Sequence, residues 1–410
     1  MDEKNSTVNP SKTRLDNLVG LGGIILVALA LRPSLVSIGP VLPQVTQSFK
    51  LSHTSAGLLT TIPDVLMGLL ALPTPWLAHK YGRDKLIIIA MILLTLSTFA
   101  RAFSTNTTVL LLTTAGVGAG IAITGALLSG FIKVSFLKRT TLVMGIYASS
   151  LALGSTISAF LTIPIADAFG GWRLAIGSYA IIGLIGTIAW KFLSIHKNKN
   201  ADYKSLPQLP HVSLPWGNSK AWLVAIFFAC VNFLFYALLA WMVAFFQESG
   251  LPAKKAGGLL AVLTLSFMIA TPIISAMSRS TDRRFFLGTS AFITLVGLIT
   301  ILNFPSWFPF GTVSLIGIGL AGTFTLGMTL PLDNTHHAAA TNSWTAFMLT
   351  IGYLLAGLGP LLVGVLRDHT GNFTASLYLL SAVSVLMFVL AFLLKPIVNK
   401  PTSPLKQEQP

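Results

Sequence analysis

FKLSHTSAGLL, residues 49–59, returns 201 positions later as GLPAKKAGGLL, residues 250–260. The same offset lays ADAFGGW (166–172) on RDHTGNF (367–373) and HKYGRDK (79–85) on STDRRFF (280–286). One offset shared by three separated places marks a duplicated unit rather than chance likeness. Each copy of the opening motif is a short polar punctuation between two long apolar runs, so the unit is a set of apolar segments joined by tight loops.

Working outward, apolar runs fall near 18–43, 54–78, 86–103, 108–132, 142–166 and 172–194, then near 221–246, 255–278, 286–303, 309–332, 342–366 and 373–395. A run of about 20 apolar residues crosses ~30 Å of hydrocarbon as a helix. The expectation is an all-α polytopic membrane protein of twelve transmembrane helices in two six-helix repeats. The polar stretch with Pro207, Pro210 and Pro215 divides them. The halves are residues 1–195 and 221–410, with 196–220 as a cytoplasmic linker.

Of 410 residues, 53% are hydrophobic and 10% charged, against about a quarter charged in soluble domains. The net charge of +15 does not indicate nucleic acid, because lysine and arginine are spread over short loops rather than gathered in one patch. By this span assignment 20 of the 27 basic residues lie on the side of the termini and six on the other, with Arg32 inside span 1. That asymmetry predicts cytoplasmic termini. The first apolar run is too long for a signal-peptide core and is read as an uncleaved span. A single cysteine, Cys230, excludes a disulfide framework or a CxxC metal site.

Two charges lie deep within apolar runs, far from either end. Arg32, in LALRPSLVSIGPVLPQ (29–44), is about 16 Å from the far end of span 1 at Pro43, near mid-membrane. Its helical face carries Ala28, Val36, Gly39 and Pro43, which suits a helix against protein or a cavity. One reading ties Arg32 to carbonyls freed by Pro33 and Pro40. The other makes it a binding residue for a small planar anion, which a guanidinium meets fork to fork. Asp64 in span 2 lies at nearly the same depth, on a face with Gly57, Thr60, Thr61, Gly68, Ala71 and Pro75. It is either an ion-pair partner of Arg32 or a proton-coupling group, since burial and a nearby cation act in opposite senses on a carboxyl.

In span 7, Asn232 and Tyr236 share a face at i, i+4, and the 201 offset sets Arg32 on Phe233 beside them. These residues, with Tyr147 of span 5 and Trp344 and Tyr353 of span 11, are the candidate substrate-binding wall. Adjacent His336 and His337, with Asp333, have poor geometry for one metal and read as a solvated loop. GVGAG (116–120) and GLGP (357–360) permit close helix approach, and GVGAG follows no strand, so it is not a nucleotide loop. Asn106-Thr-Thr and Asn372-Phe-Thr match the glycosylation triplet. No nucleophile–base set, metal set or Walker motif is seen, so neither an enzyme nor a cofactor is expected.

LALRPSLVSIGPVLP, AGLLTTIP (56–63), GFIKVSF (130–136), RTTLVMGIYASSLALG (139–154) and GYLLAGLGPLLVGVLRDHTGNF (352–373) resemble the cyanate/nitroimidazole transporter (cyanate porter) family of the major facilitator superfamily. The resemblance runs through both halves. It implies a bacterial inner-membrane secondary transporter for a small solute such as cyanate or a nitro-azole, with Arg32 as the binding residue and Lys133 either at a cytoplasmic gate or anchoring span 4 at the headgroups. The superfamily's acidic loop after span 2 is represented by PWLAHKYGRDK (75–85), which keeps Gly82 and Arg83 and has His79 in place of the acid. Asp64 stands where the family more often has an apolar residue after the proline.

The expected function is therefore rocker-switch transport of a small anionic or electron-rich solute by a monomer in the lipid bilayer. The alternative is a proton-coupled multidrug or metabolite exporter using Asp64. A non-transporting membrane sensor is disfavoured by the short loops.

Overall fold

The computed structural model describes residues 10–136, 140–198, 213–278, 282–335 and 338–396, and every element among them is an α-helix. Several spans are broken in the middle. Span 1 is three pieces, α1 (Pro10–Leu31), α2 (Pro33–Val36) and α3 (Ile38–Phe49). It continues through Pro43 to Phe49, six residues beyond the end expected from the sequence. Span 2 is α4 (His53–Ala71) followed by α5 (Thr74–Tyr81), parted at Pro73. Spans 3, 4 and 5 are α6 (Arg83–Arg101), α7 (Thr107–Ser135) and α8 (Thr140–Ala168), and span 6 is α9 (Trp172–Ser178) plus α10 (Ala180–Asn198).

Spans 7, 8 and 9 are α11 (Ser219–Glu248), α12 (Ala253–Met277) and α13 (Arg284–Asn303). Span 10 is α14 (Pro309–Gly327) plus α15 (Leu330–Asp333). Span 11 is α16 (Ala338–Ala356) plus α17 (Leu358–Thr370), and span 12 is α18 (Thr374–Leu393). Eleven helical runs among the described residues are long and apolar enough to cross a bilayer. The twelfth is α6, whose ends carry Arg83, Asp84, Lys85 and Arg101.

Local chemistry starts these helices where the polar punctuation lies. Ser52 accepts from the Ser55 N–H to cap α4, and Asn106 accepts from the Val109 N–H at 2.9 Å to cap α7. Asn218 accepts from Lys220 and Ala221 at the head of α11. Such caps satisfy N–H groups that the first helical turn leaves free. Asn106 and Asn372, the residues of the two glycosylation triplets, both serve helix starts; Asn372 accepts from the Thr374 N–H at 2.9 Å.

Spans 1–6 pack on one another, as do spans 7–12, and the two sets meet along α4 against α16 and α17, α3 against α11, and α8 against α12. Close backbone approach there depends on glycine. A Cβ on Gly57 would stand 2.6 Å from the Pro360 carbonyl oxygen. Within the first set, a Cβ on Gly120 of GVGAG would meet the Ala90 carbonyl and Leu94, each at 2.8 Å.

Candidate functional site

The site begins with a backbone defect. Pro33 has no N–H to give, so α1 ends at Leu31 and α2 opens at Pro33, with Arg32 in the turn between them. Arg32 lies 13 residues from Val19 and 17 from Phe49 in a run of 31, which is mid-depth. Non-helical backbone at that depth is tolerated where it is buried in protein. Its helical face, Ala28, Val36 and Gly39, is buried.

The guanidinium crosses from one set of helices to the other. Arg32 Nη1 donates to the Tyr236 hydroxyl of α11 at 3.0 Å, and its Cζ lies 6.0 Å from the centre of that ring. Tyr147 of α8 and Tyr353 of α16 lie within its electrostatic reach. Tyr236 is sealed at 1% exposure, while Arg32 and Tyr353 are half-buried.

Behind Tyr236 the second set supplies a continuous aromatic wall. Tyr236 faces Tyr353 at 6.3 Å, Tyr353 meets Phe228 at 6.0 Å, and Phe228 meets Phe324 at 5.7 Å between ring centres. Phe324 meets Phe267 at 5.7 Å, Phe267 meets Phe235 at 5.1 Å, and Phe235 returns to Tyr236 at 5.4 Å. These six rings from α11, α12, α14 and α16 form a closed circuit within the distance range of offset or edge-to-face pairs. Its two tyrosines are candidates from the sequence, whereas the four phenylalanines are not. Their signal, Phe228 one turn before Asn232 and Phe235 beside Tyr236, is lost in a run that is almost wholly apolar.

Asp64 is fully buried, and neither carboxyl oxygen has a hydrogen-bond partner. It lies near Arg32 without forming an ion pair, since no N–O distance between them is within 4.0 Å. The simple ion-pair expectation is therefore not met. The reason is that Arg32 turns to Tyr236, whereas Asp64 sits where α4 crosses the α16–α17 break; a Cβ on Gly357 would be 3.6 Å from its Cβ. One turn earlier on α4, Thr61 Oγ1 donates to the Gly357 carbonyl at 2.7 Å. The breaks in spans 1 and 11 thus flank the same space.

The remaining candidates are more distant or used locally. Asn232 spends its Nδ2 donor on the Phe228 carbonyl one turn back, at 2.8 Å. Trp344 precedes Tyr353 by nine residues, about 14 Å along α16, and is not brought to Arg32. Gly82 takes φ 86° between α5 and α6, a conformation that favours glycine. Arg83 pairs with Asp84 at 3.1 Å and lies 4.6 Å from the Phe131 ring centre of α7, while His79 is exposed. The Lys133 side chain and His336 and His337 lie outside the described residues. Asp333 pairs with Arg283 at 2.5 Å. No group of three or more metal-ligating side chains occurs among the described residues.

A buried arginine was missed altogether. Arg101, counted from sequence among the six basic residues on the side opposite the termini, is 1% exposed and donates through Nη1 to the Ser34 carbonyl. Its position at the end of an apolar run hid its direction.

Comparison with known proteins agrees with this architecture. The chain is 31% identical over 90% of its length to the cyanate transport protein CynX of Escherichia coli (strain K12), covering 96% of that protein. It is 26% identical over 93% of its length to the 2-nitroimidazole transporter of the same organism, covering 97% of it. The crystal structure of a bacterial homologue of the human lysosomal transporter Spinster, inward-facing and occupied, superposes with a TM-score of 0.75 at 16% identity, over 94% of this chain and 97% of that one. The relatives are transporters rather than enzymes. The profile of the Major Facilitator Superfamily matches residues 24–357, and the chain belongs to that superfamily of multi-pass membrane transporters.

Proposed function

We propose that this protein is a secondary transporter that moves a small, flat solute, anionic or electron-rich, by rocker-switch alternating access. The observation that carries this is the Arg32–Tyr236 bond at mid-depth, which joins a cation at a helix break to a closed circuit of six aromatic rings. A guanidinium supplies two parallel donors in one plane. The aromatic faces supply stacking surface for whatever those donors hold. Cyanate and a 2-nitroimidazole, carried by the two relatives, are both small and flat and present polar acceptors.

Residues 1–195 and 221–410 are the rocking units and 196–220 the linker. Asn232, Tyr147 and Tyr353 shape the cavity around Arg32 and Tyr236, while Trp344 lines the route toward the face of the termini. Gly82, Arg83 and Lys133 belong to the gate on that face. The lysine and arginine asymmetry supports cytoplasmic termini in a bacterial inner membrane, and a site enclosed within one chain supports a monomer.

The test is uptake of labelled cyanate and of 2-nitroimidazole into proteoliposomes. Arg32→Ala is expected to abolish saturable uptake while leaving the elution profile of the purified protein unchanged. Wild-type transport by Arg32→Ala would make Arg32 a structural residue.

A second reading is a proton-coupled exporter, favoured by Asp64. A buried carboxyl without any partner is costly as an anion and suits a group that carries a proton through part of the cycle. Transport indifferent to both a pH gradient and Asp64→Asn would exclude it.

A further inference from the structure

A cavity of about 420 Å³ lies on the face opposite the termini, between the end of span 1, the start of span 2 and the end of span 7. That volume falls in the range of small-molecule sites. It is not the space around Arg32. Leu42, where span 1 first meets the cavity, is ten residues beyond Arg32, about 15 Å along a helix, and Trp241 is five beyond Tyr236. Between the two levels spans 1 and 7 touch backbone to backbone, for a Cβ on Gly39 would run into the Leu239 carbonyl. That contact parts the cavity from the Arg32–Tyr236 bond.

Each titratable side chain lining the cavity already has a partner. Glu248 accepts from Arg367 Nε at 2.8 Å, and His53 Nδ1 lies 2.7 Å from Asp368 Oδ1. The polar groups left over are neutral. The carboxamides of Gln47 and Gln247 make no hydrogen bond among the described residues, and Thr46 Oγ1, which donates to the Leu42 carbonyl at 2.8 Å, keeps its lone pairs. Beneath them Leu42, Pro43, Trp241 and Ala244 supply apolar surface, with the indole fixed by its Nε1 bond to the Pro360 carbonyl at 2.8 Å. A carboxamide both donates and accepts, so two of them over an apolar floor suit a flat molecule with a donor beside an acceptor. A solute with net charge would find no unpaired counter-charge there, which is costly.

We propose that this outer cavity is a second binding site, separate from Arg32, for an uncharged flat heteroaromatic molecule that carries an amide or a ring N–H. Gln47 and Gln247 hold its polar edge, and the floor from Leu42 to Ala244 takes its ring. The site selects against anions, the opposite of the preference assigned to Arg32, and it stands whether or not Arg32 holds the transported solute.

The test uses nicotinamide as the probe and nicotinate, its anion of the same shape, as the contrast. In a Cys230→Ser background, which removes the chain's single cysteine, Ala244→Cys places a thiol on the cavity floor, and its alkylation by N-ethylmaleimide is followed. Nicotinamide is expected to protect the thiol saturably, and nicotinate to protect at least about tenfold less well. Gln47→Ala with Gln247→Ala, which removes two hydrogen bonds, should weaken protection about tenfold, whereas Arg32→Ala should leave it unchanged. Thr46→Cys serves if the Ala244 variant does not fold. Failure of either thiol to react, no protection by nicotinamide, equal protection by nicotinate, or protection indifferent to the two glutamines overturns the proposal. So does protection lost in Arg32→Ala, which would place the probe at the central site. Uptake by Arg32→Ala tests the transport reading separately, and neither result decides the other.

Discussion

Asp368, near the end of span 11, places its carboxylate on the first turn of span 2 beside Thr54, 314 residues away in sequence. Its Oδ2 accepts from the Thr54 N–H at 2.8 Å and from Thr54 Oγ1 at 2.7 Å; its Oδ1 accepts from the His53 N–H at 2.9 Å and lies 2.7 Å from His53 Nδ1. An acid on free N–H groups at a helix N-terminus is favoured by both hydrogen bonding and the helix dipole. Here the acid and the helix belong to different sets of six, so the bond closes the face opposite the termini. The internal repeat makes Asp167 the counterpart of Asp368 and Lys254 that of His53, yet Asp167 is exposed and takes no such bond among the described residues. The closure is one-sided.

Asp368→Ala is therefore expected to weaken this closed arrangement by about 1–2 kcal/mol, the scale of a lost helix cap, without unfolding either set. Spin labels on cysteines replacing Lys50 and His369, both exposed, would report a longer-distance population in the Cys230→Ser background. A distance distribution unchanged by Asp368→Ala would show that the closure rests on packing alone.

Glycine separates folding from gating. Gly120→Val forces a side chain onto Ala90 and Leu94 inside the first set, and overpacking of this kind costs roughly 1–3 kcal/mol in every state. Gly57→Val meets Pro360 across the interface, a cost paid only while that face is closed. The melting temperature should fall for Gly120→Val in all conditions. For Gly57→Val the same spin-label pair should separate.

Much of this was legible in the sequence, because the signals are local. A charge in an apolar run, a proline after it and a repeat at one offset can each be seen without partners, and they gave Arg32, the break and the two sets of six. Arg101 was not legible: at the end of an apolar run, a charge facing water and a charge turned inward onto Ser34 look alike. Asp368 was also hidden, because its meaning is the N-terminus of a helix from the other half. The Arg32–Asp64 pairing failed for a related reason. Equal depth on two helices does not give equal direction, and Tyr236 and the Gly357 break decide where each side chain turns.

Tyr236→Phe removes one hydroxyl from the site and nothing from its packing. The Arg32 Nη1 donor loses its 3.0 Å acceptor, and a hydrogen bond to a charged group is worth about 1.5–3 kcal/mol. On the proposed role of Arg32, apparent affinity for the solute, with cyanate as the probe, should fall at least about tenfold, with the aromatic circuit and the melting temperature preserved. Unaltered affinity in proteoliposome uptake would mean that Arg32 needs no orientation from the second set.

Asp64→Asn distinguishes a carboxyl that carries a proton from one that carries a charge. Both oxygens are buried and unpartnered, so an ionised Asp64 would burden this state with an uncompensated charge, and the isosteric amide would relieve it. A markedly higher melting temperature at neutral pH therefore signals an ionised Asp64. A protonated carboxyl is already neutral and nearly the shape of the amide, so the melting temperature should barely move. We expect the second outcome, together with loss of any stimulation of uptake or efflux by an imposed pH gradient. If the gradient still drives transport in Asp64→Asn, the proton travels by another group, and Asp64 is a neutral filler at the crossing of α4 with the span 11 break.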